Sequence, residues 1–445
     1  MDTASFIVQA LNGLAAASSL FLVAAGLSLI FGVSRIVNFA HGSFFMLGVY
    51  VAYSLVSHLA PSVSGVLAVA LGDGAAATVA YFVMLLMAAL ITGALGALVE
   101  VLVLRRIYRA PELFQLLATF ALVLVLQDGV LWLWGAEDLL GPRARGLSGA
   151  VDVMGRRLPT YDVFLIVIGP VVLALLWALL QRTRFGVLVR AATQDREMVG
   201  ALGINPRHLF TAVFALGCAL AGLGGALQLP REPAHLGLDM ATIGDAFVVV
   251  VVGGMGSIPG AFVAALLIAE VKTLCIALGT VEWFGVSFAF SKLTLVAEFL
   301  VMAVVLMVRP WGLMGKPLSD ARAPAVTHHH AELPVAQRRV AWLVVAAVAV
   351  ALPWLSSDTP YVLVLAVDVL VAALFAASLH FIMGPAGMHS FGHAAYLGLG
   401  AYAAALLVLQ AGVSPEVALV AAPLVTALIA MPMAWFAVRL SGVYL

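Results

Sequence analysis

Charge is the scarcest commodity in this sequence. Of 445 residues only 10% are Asp, Glu, Lys or Arg, against roughly 25% in soluble globular domains. Basic and acidic residues number 22 each, so no basic face for a nucleic acid is implied. Cysteine is nearly absent: Cys218 and Cys275 both lie in apolar runs, which suits packing rather than a disulfide or a metal pair. No basic residue precedes Arg35, so the N-terminus lacks the charged opening of a cleavable signal peptide. Catalytic motifs are missing too. Gly315-Lys316 has no upstream glycine and is followed by Pro317, so no phosphate-binding loop is present and the chain holds no ATP of its own by that route. Neither H-E-x-x-H nor G-x-S-x-G occurs, which argues against a membrane-embedded protease or hydrolase.

Apolar residues fill the space. They make up 64% of the chain, and the mean hydropathy is +1.13. A soluble core cannot absorb that much apolar surface, whereas lipid can, provided every backbone N–H and C=O is paired internally. Barrel strands alternate apolar with polar residues. The runs here are continuous, so the fold class is all-α, a polytopic transmembrane helical bundle. Runs of about 20 residues, enough to cross a bilayer, lie at 5–30, 42–60, 78–104, 113–134, 161–180, 208–229, 286–308, 361–383, 393–411 and 416–438. A glycine-interrupted run at 241–269 and a shorter one at 340–355 bring the expectation to about 11–13 segments.

Lys and Arg near helix ends set orientation. Arg105, Arg106 and Arg109 mark one cytoplasmic loop, Arg182 to Arg207 a second, and Arg309 to Arg339 a third. Alternation then places the N-terminus outside. It also places 135–160 outside, against the charge rule, because that loop carries Arg143, Arg145, Arg156 and Arg157. Residues 241–308 must supply an odd number of crossings. Three are expected, with the break Gly253-Gly254-Met255-Gly256-Ser257-Ile258-Pro259-Gly260 facing the pathway or, alternatively, forming a small-residue packing seam. Residues 316–339 read as a polar cytoplasmic linker between residues 1–315 and 340–445, with His328, His329 and His330 as polar filler.

One segment recurs. Asn38-Phe39-Ala40-His41-Gly42 runs on to Gly48-Val49-Tyr50, and Ser390-Phe391-Gly392-His393-Ala394 runs on to Gly400-Ala401-Tyr402. The differences 391 − 39, 393 − 41, 400 − 48 and 402 − 50 all equal 352. Two copies of one helical unit imply two pseudo-repeated halves, a frequent transporter plan. Asn38 and Ser390 are favoured N-cap types, so capping is the first reading for them, with a gate or solute-lining role as the other. His41 and His393 suit buried, hydrogen-bonded packing before proton transfer.

The loop at 181–207 is too long and too amphipathic for a bare turn. Arg190, Asp195 and Glu197 alternate with Val189, Ala192, Val199 and Ile204, which predicts a short helix over 187–202 ended by Gly203. Candidate ionisable groups at membrane depth are Asp128, Asp245, Glu270, Glu298 and Asp368. At membrane depth such groups are usually functional, and they carry the rival reading, an ion-coupled secondary transporter of small polar solutes.

The chain resembles the permease subunits of branched-chain (hydrophobic) amino acid ABC importers. The matching elements are NFAHGSFFMLGVY at 38–50, RAATQDREMVGALGIN at 190–205, FALGCALAGLGGAL at 214–227, GDAFVVVVVGGMGSIPGA at 244–261 and RPWGLMG at 309–315. GPAGMHSFGHAAYLGLGAY at 384–402 and RLSGVY at 439–444 resemble the partner permease. The resemblance implies a fusion: a first permease unit over 1–315 and the N-terminal part of a second over 340–445, stopping at Leu445. It implies multi-pass insertion in the bacterial inner membrane, with cytoplasmic ATP-binding subunits, an extracytoplasmic solute-binding protein and a further permease chain as partners. ATP and Mg would sit in the partner subunits, and no cofactor or nucleic acid on this chain. Arg190, Ala191, Asp195, Gly203, Ile204 and Asn205 would form the ATPase-coupling loop. Asn38, His41, Gly42, Gly48, Tyr50, Gly253, Gly254, Gly256, Ser390, Phe391, His393 and Tyr402 would border the translocation path or its gate.

Overall fold

Runs of lipid length leave the backbone no partner but itself, and they are helical in the computed structural model, which describes residues 3–34, 38–108, 110–283, 286–315, 335–355, 360–384 and 392–437. Among the described residues ten helices are long and apolar enough to cross a membrane, and the shorter apolar helix His393–Leu409 joins them. The chain divides into two compact units, Met1–Ala321 and Arg322–Leu445.

In the first unit α1 (Thr3–Ser34) and α10 (Pro206–Gln228) form the centre. Ser19 Oγ donates to the Gly224 carbonyl at 3.1 Å, and further along Gly26 meets Gly217, so the two helices run antiparallel. Small residues permit this closeness, because van der Waals contact replaces the hydrophobic drive that lipid removes. The same device recurs around α10. Gly222 faces Gly48 of α2 (His41–Ser54), and Cys218 faces Gly96 of α4 (Asp73–Val99). The buried Cys218 thiol is therefore a packing group.

Two helices are wound irregularly. α2 passes through a π-helical turn at Leu55–Leu59 into α3 (Ala60–Leu71), and α4 passes through another at Glu100–Leu104 into α5 (Arg105–Ile107). Such turns insert a residue into the helical register. The second holds the fully buried Glu100, whose carboxylate takes Arg105 Nη2 at 2.9 Å and Thr211 Oγ1 at 2.7 Å. On the outer face of α6 (Glu112–Trp134), Phe114, Leu117, Val125 and Trp132 are all exposed. An apolar exterior over a small-residue interior is what lipid solvation asks for.

A hairpin of β1 (Ala150–Val153) and β2 (Arg156–Pro159) leads into α7 (Thr160–Arg182), followed by α8 (Arg184–Gln194) and α9 (Arg196–Ala201). Three helices cover residues 241–308: α11 (Leu238–Gly253), α12 (Ile258–Leu278) and α13 (Thr294–Val308), of which α12 and α13 lie in candidate membrane spans. The run 286–308 is not helical throughout. Val286–Ala289 forms β4 and pairs antiparallel with β3 (Thr280–Trp283), and a 3-10 turn at Phe290–Leu293 precedes α13. The alternating Val-Ser-Phe-Ala pattern pairs better as a strand than it continues a helix.

The second unit comprises α14 (Val335–Leu355), α15 (Pro360–Met383), α16 (His393–Leu409) and α17 (Pro415–Ala437). α16 starts 352 residues after α2, at His393 against His41. The likeness extends to partners. The His41 ring lies against Gly26, and the His393 ring nitrogen Nε2 hydrogen-bonds Ser378 Oγ at 2.7 Å. Position 378 is again 26 shifted by 352.

Candidate functional site

α2 begins inside the bundle rather than at its edge. Its first residue packs beside Gly26, well before α1 ends at Ser34, which is roughly 12 Å of helix at 1.5 Å per residue. Asn38 and His41 are 2% and 0% exposed. The capping expectation for Asn38 is corrected here. Ala40 is the N-cap residue and makes no side-chain cap, while Asn38 Oδ1 accepts from Ala40 N at 3.2 Å in a local turn. A turn that re-enters the bundle needs its own backbone donors met before the helix starts. His41 is the packing group expected, with Nε2 3.0 Å from the Val23 carbonyl oxygen. Gly42 abuts the Asp239 carbonyl, and Gly48 abuts the Gly222 backbone. Tyr50 is fully buried and tilts against Trp134, with ring centroids 5.4 Å apart.

Asp239 was not singled out by sequence reasoning, because it opens a helix like many acidic residues. It is 1% exposed and accepts three hydrogen bonds, from Ser43 Oγ at 3.3 Å, Gln127 Nε2 at 3.0 Å and Met240 N at 2.7 Å. Its place in the first turn of α11 favours the negative charge.

The glycine break is packed against backbone. Gly253, Gly254 and Gly256 form the turn between α11 and α12, and the segment after α13 is laid against them. Leu313 N donates to the Val252 carbonyl at 2.8 Å, and Met314 N to the Gly253 carbonyl at 3.0 Å. Gly254 has φ +97° with the Gly315 backbone against it, and Gly256 has φ +84° opposite Gly32. The packing-seam alternative is the one observed, because only bare backbones fit this close. Gly254→Ala combines left-handed strain with a backbone clash and is expected to cost roughly 2–4 kcal/mol. The check is the melting temperature of the detergent-solubilised chain against wild type.

The segment after α7 lies at the opposite end of the bundle from the start of α1. A single helix over 187–202 was expected, but two form, α8 and α9, broken at Asp195. Asp195 is extended at φ −148°, ψ 102°, and its Oδ1 caps α9 by accepting from Met198 N at 2.8 Å. Gly203 ends α9 as expected, at φ +81°. Gly203 N donates to the Gly200 carbonyl at 3.1 Å and Ile204 N to the Val199 carbonyl at 3.3 Å. That is the double bond of a Schellman ending, and Val199 is buried beside a half-buried Ile204. Asn205 Oδ1 then caps α10 from Arg207 N at 3.0 Å, with Pro206 in its first turn. Arg190 donates to the Leu180 carbonyl near the end of α7, and the Ala191 carbonyl accepts Asp195 N at 3.0 Å. Val187, Met198 and Leu202 are exposed on this segment.

At the other end a cavity of about 820 Å³ opens between the first half of α1, the start of α7, the loop after α10 and the last turns of α12. Ion pairs of Lys and Arg with Asp line it. Arg231 Nε stands 3.2 Å from Asp162 Oδ1, and Lys272 Nζ stands 2.6 Å from Asp245 Oδ2. Lys272 also reaches Glu298 Oε2 at 3.1 Å, without hydrogen-bond geometry at that oxygen. Val23 and Phe45 form part of the apolar wall. A second cavity of about 20 Å³, room for one water, lies toward the α8–α9 end among Ser34, Asn38, Gln115 and Phe214.

The sequence model of one family, described as branched-chain amino acid transport system / permease component, matches residues 9–309 and 361–445. The chain belongs to that family. It is a multi-pass membrane permease. It is 28% identical over 316 residues to the high-affinity branched-chain amino acid transport system permease protein BraD of Pseudomonas aeruginosa, covering 70% of this chain and 96% of that protein. It is 26% identical to the permease protein LivH of Escherichia coli over 320 residues, with coverages of 70% and 96%. A probable LivH of Methanocaldococcus jannaschii is 26% identical over 311 residues, covering 66% of this chain and 88% of the relative. No solved structure matches the chain.

Within this permease the residues expected at the path fall into separate groups. Asn38 lines the small cavity; His41, Gly42, Gly48 and Tyr50 are packed between helices. Gly253, Gly254 and Gly256 sit at a seam that lines neither cavity. In the second unit His393 is buried against Ser378, with Phe375 at a ring distance of 5.1 Å, and Tyr402 is exposed. Ser390, Phe391, the RLSGVY motif and His328 to His330 lie outside the described residues. Of the acidic groups noted in apolar runs, Asp245 and Glu298 meet on Lys272, Glu270 lies against Gly13, and Asp128 and Asp368 are exposed.

Proposed function

We propose that this permease forms the membrane path of an ATP-driven importer for branched-chain or related hydrophobic amino acids. Cytoplasmic ATP-binding subunits would press on Arg184–Asn205, and a solute-binding protein would deliver to the 820 Å³ cavity at the other end. The observation that carries the reading is the family match over residues 9–309 and 361–445, joined to a bundle whose open cavity and amphipathic surface segment lie at opposite ends. α8 and α9 are held by the caps at Thr183 and Asp195 and by a buried Val199, yet expose Val187, Met198 and Leu202. A rigid element with an apolar outer face is suited to receive a push from a soluble partner.

The same family matches both stretches, and the offset of 352 relates His41 to His393 and Gly26 to Ser378. Both facts support two permease units in one chain. The start of α2 stands between the two cavities: Phe45 and Val23 line the large one, Asn38 the small one, with His41 between. It would then be the barrier that closes the path on the side of the ATP-binding subunits.

The test is uptake of labelled L-leucine into vesicles carrying the chain with its ATP-binding subunits and binding protein. Uptake should require ATP and ignore an uncoupler. Uptake that follows an ion gradient without ATP overturns the reading and favours an ion-coupled transporter, for which the Lys272 cluster would be the natural ion site.

A further inference from the structure

Three ionisable groups from three helices meet at one wall of the large cavity. Lys272 belongs to α12, Asp245 to α11 and Glu298 to α13. They lie near the level of Gly13, which faces Glu270 and Thr273 of the same α12 turn, about 15 Å of helix in from the start of α1. A charge there is costly unless paired. The pairing is lopsided. The Asp245 and Lys272 side chains, 29% and 22% exposed, line the cavity. Glu298 is 2% exposed and does not line it. Lys272 therefore has one partner fixed behind it and one facing the open space.

We infer that Lys272 and Asp245 form a binding subsite for a zwitterionic α-amino acid inside a single permease unit. The solute carboxylate takes the Lys272 ammonium and the solute ammonium takes the Asp245 carboxylate. Glu298 keeps Lys272 compensated while Asp245 turns away. The exchange swaps one ion pair for two and leaves the local charge unchanged, so no proton or counter-ion has to move. A singly charged solute engages only one of the two groups and a neutral solute neither, so each gains fewer ion pairs than a zwitterion does. The aliphatic side chain has an apolar wall at hand in Leu20, Val23 and Phe45. The second pair, Arg231 with Asp162, repeats the chemistry on the same cavity. A solute can thus pass from one ion pair to the next without meeting an uncompensated charge.

The inference rests on the importer reading for its solute class, but its test uses the purified chain alone, without ATP or binding protein. Saturation-transfer NMR on the chain in nanodiscs compares L-leucine, L-leucinamide and 4-methylpentanoate, which carry both charges, the cation only and the anion only. Wild type is expected to bind leucine best. Asp245→Asn should weaken leucine about tenfold, the worth of one hydrogen bond to a charged group, and leave 4-methylpentanoate at least as well bound. Lys272→Arg should retain leucine. If Asp245→Asn binds leucine like wild type, the subsite is wrong. If it loses all three ligands alike and melts at a lower temperature, the cluster merely ties α11, α12 and α13 together. If uptake later proves independent of ATP while this charge-selective binding persists, the importer reading fails and the subsite stands.

Discussion

Asp195→Ala is expected to reduce ATP-driven uptake by about tenfold while leaving the chain inserted in the membrane. α9 has only six residues, and isolated helices shorter than ~12 residues are marginal in water. Its cap is the Asp195 side chain, which meets Met198 N at 2.8 Å. Removing a cap costs about 1 kcal/mol, a large share of what a helix that short can hold locally. The rest of the bundle does not depend on it: α10 has its own cap in Asn205, and α8 has one in Thr183. A frayed α9 would transmit a push poorly, so hydrolysis and uptake should separate. The measurement pairs vesicle uptake with ATP hydrolysis and with the amount of chain in the membrane. Asp195→Asn is the decisive companion, because Asn caps as well as Asp does. It should restore uptake if the cap matters, and fail to restore it if the charge itself contacts the partner. Wild-type uptake by Asp195→Ala would remove this segment from the coupling route.

Gly48→Val should prevent the first unit from packing. A Cβ at Gly48 meets the carbonyl oxygen and Cα of Gly222, which are backbone atoms and cannot swing aside. Gly222 in turn has Thr92 on its other flank, so α10 is held from both sides and has nowhere to retreat. Overpacking typically costs ~1–3 kcal/mol, and the two extra methyls of valine place this site at the upper end of that range. The prediction is a sharp fall in folded yield and melting temperature for Gly48→Val. Gly65→Val makes the comparison. A Cβ there meets nothing within 4 Å, and substitutions away from such features usually change stability by less than ~0.5 kcal/mol. Equal behaviour of the two variants would refute the close approach of α2 and α10.

Composition and pattern alone determined that this chain is a membrane-spanning helical bundle. In lipid each backbone must pair with itself, so element type is a local property, legible at any run of about 20 apolar residues. The three helices within 241–308 and the Gly203 ending of α9 were legible for the same reason: both are set by neighbours in sequence. The strand at Val286–Ala289 was missed because a short apolar run does not reveal its partner. The cap expected at Asn38 does not form because the chain there turns back into the bundle, and the depth of a turn is not written in its residues.

Only the tertiary structure decided which groups meet. Asp245, Lys272 and Glu298 come from three helices, and nothing in their spacing brings them to one cavity wall. Asp239 finds Ser43 and Gln127, which lie far away in sequence. Gly253 and Gly254 read as a break in a run, and only the packed chain lays the backbone of Leu313 and Met314 against that break. Helix formation draws on bonds four residues apart, whereas a site is made by side chains from different helices, far apart along the chain. The first can be read along a line; the second exists only once the helices have packed.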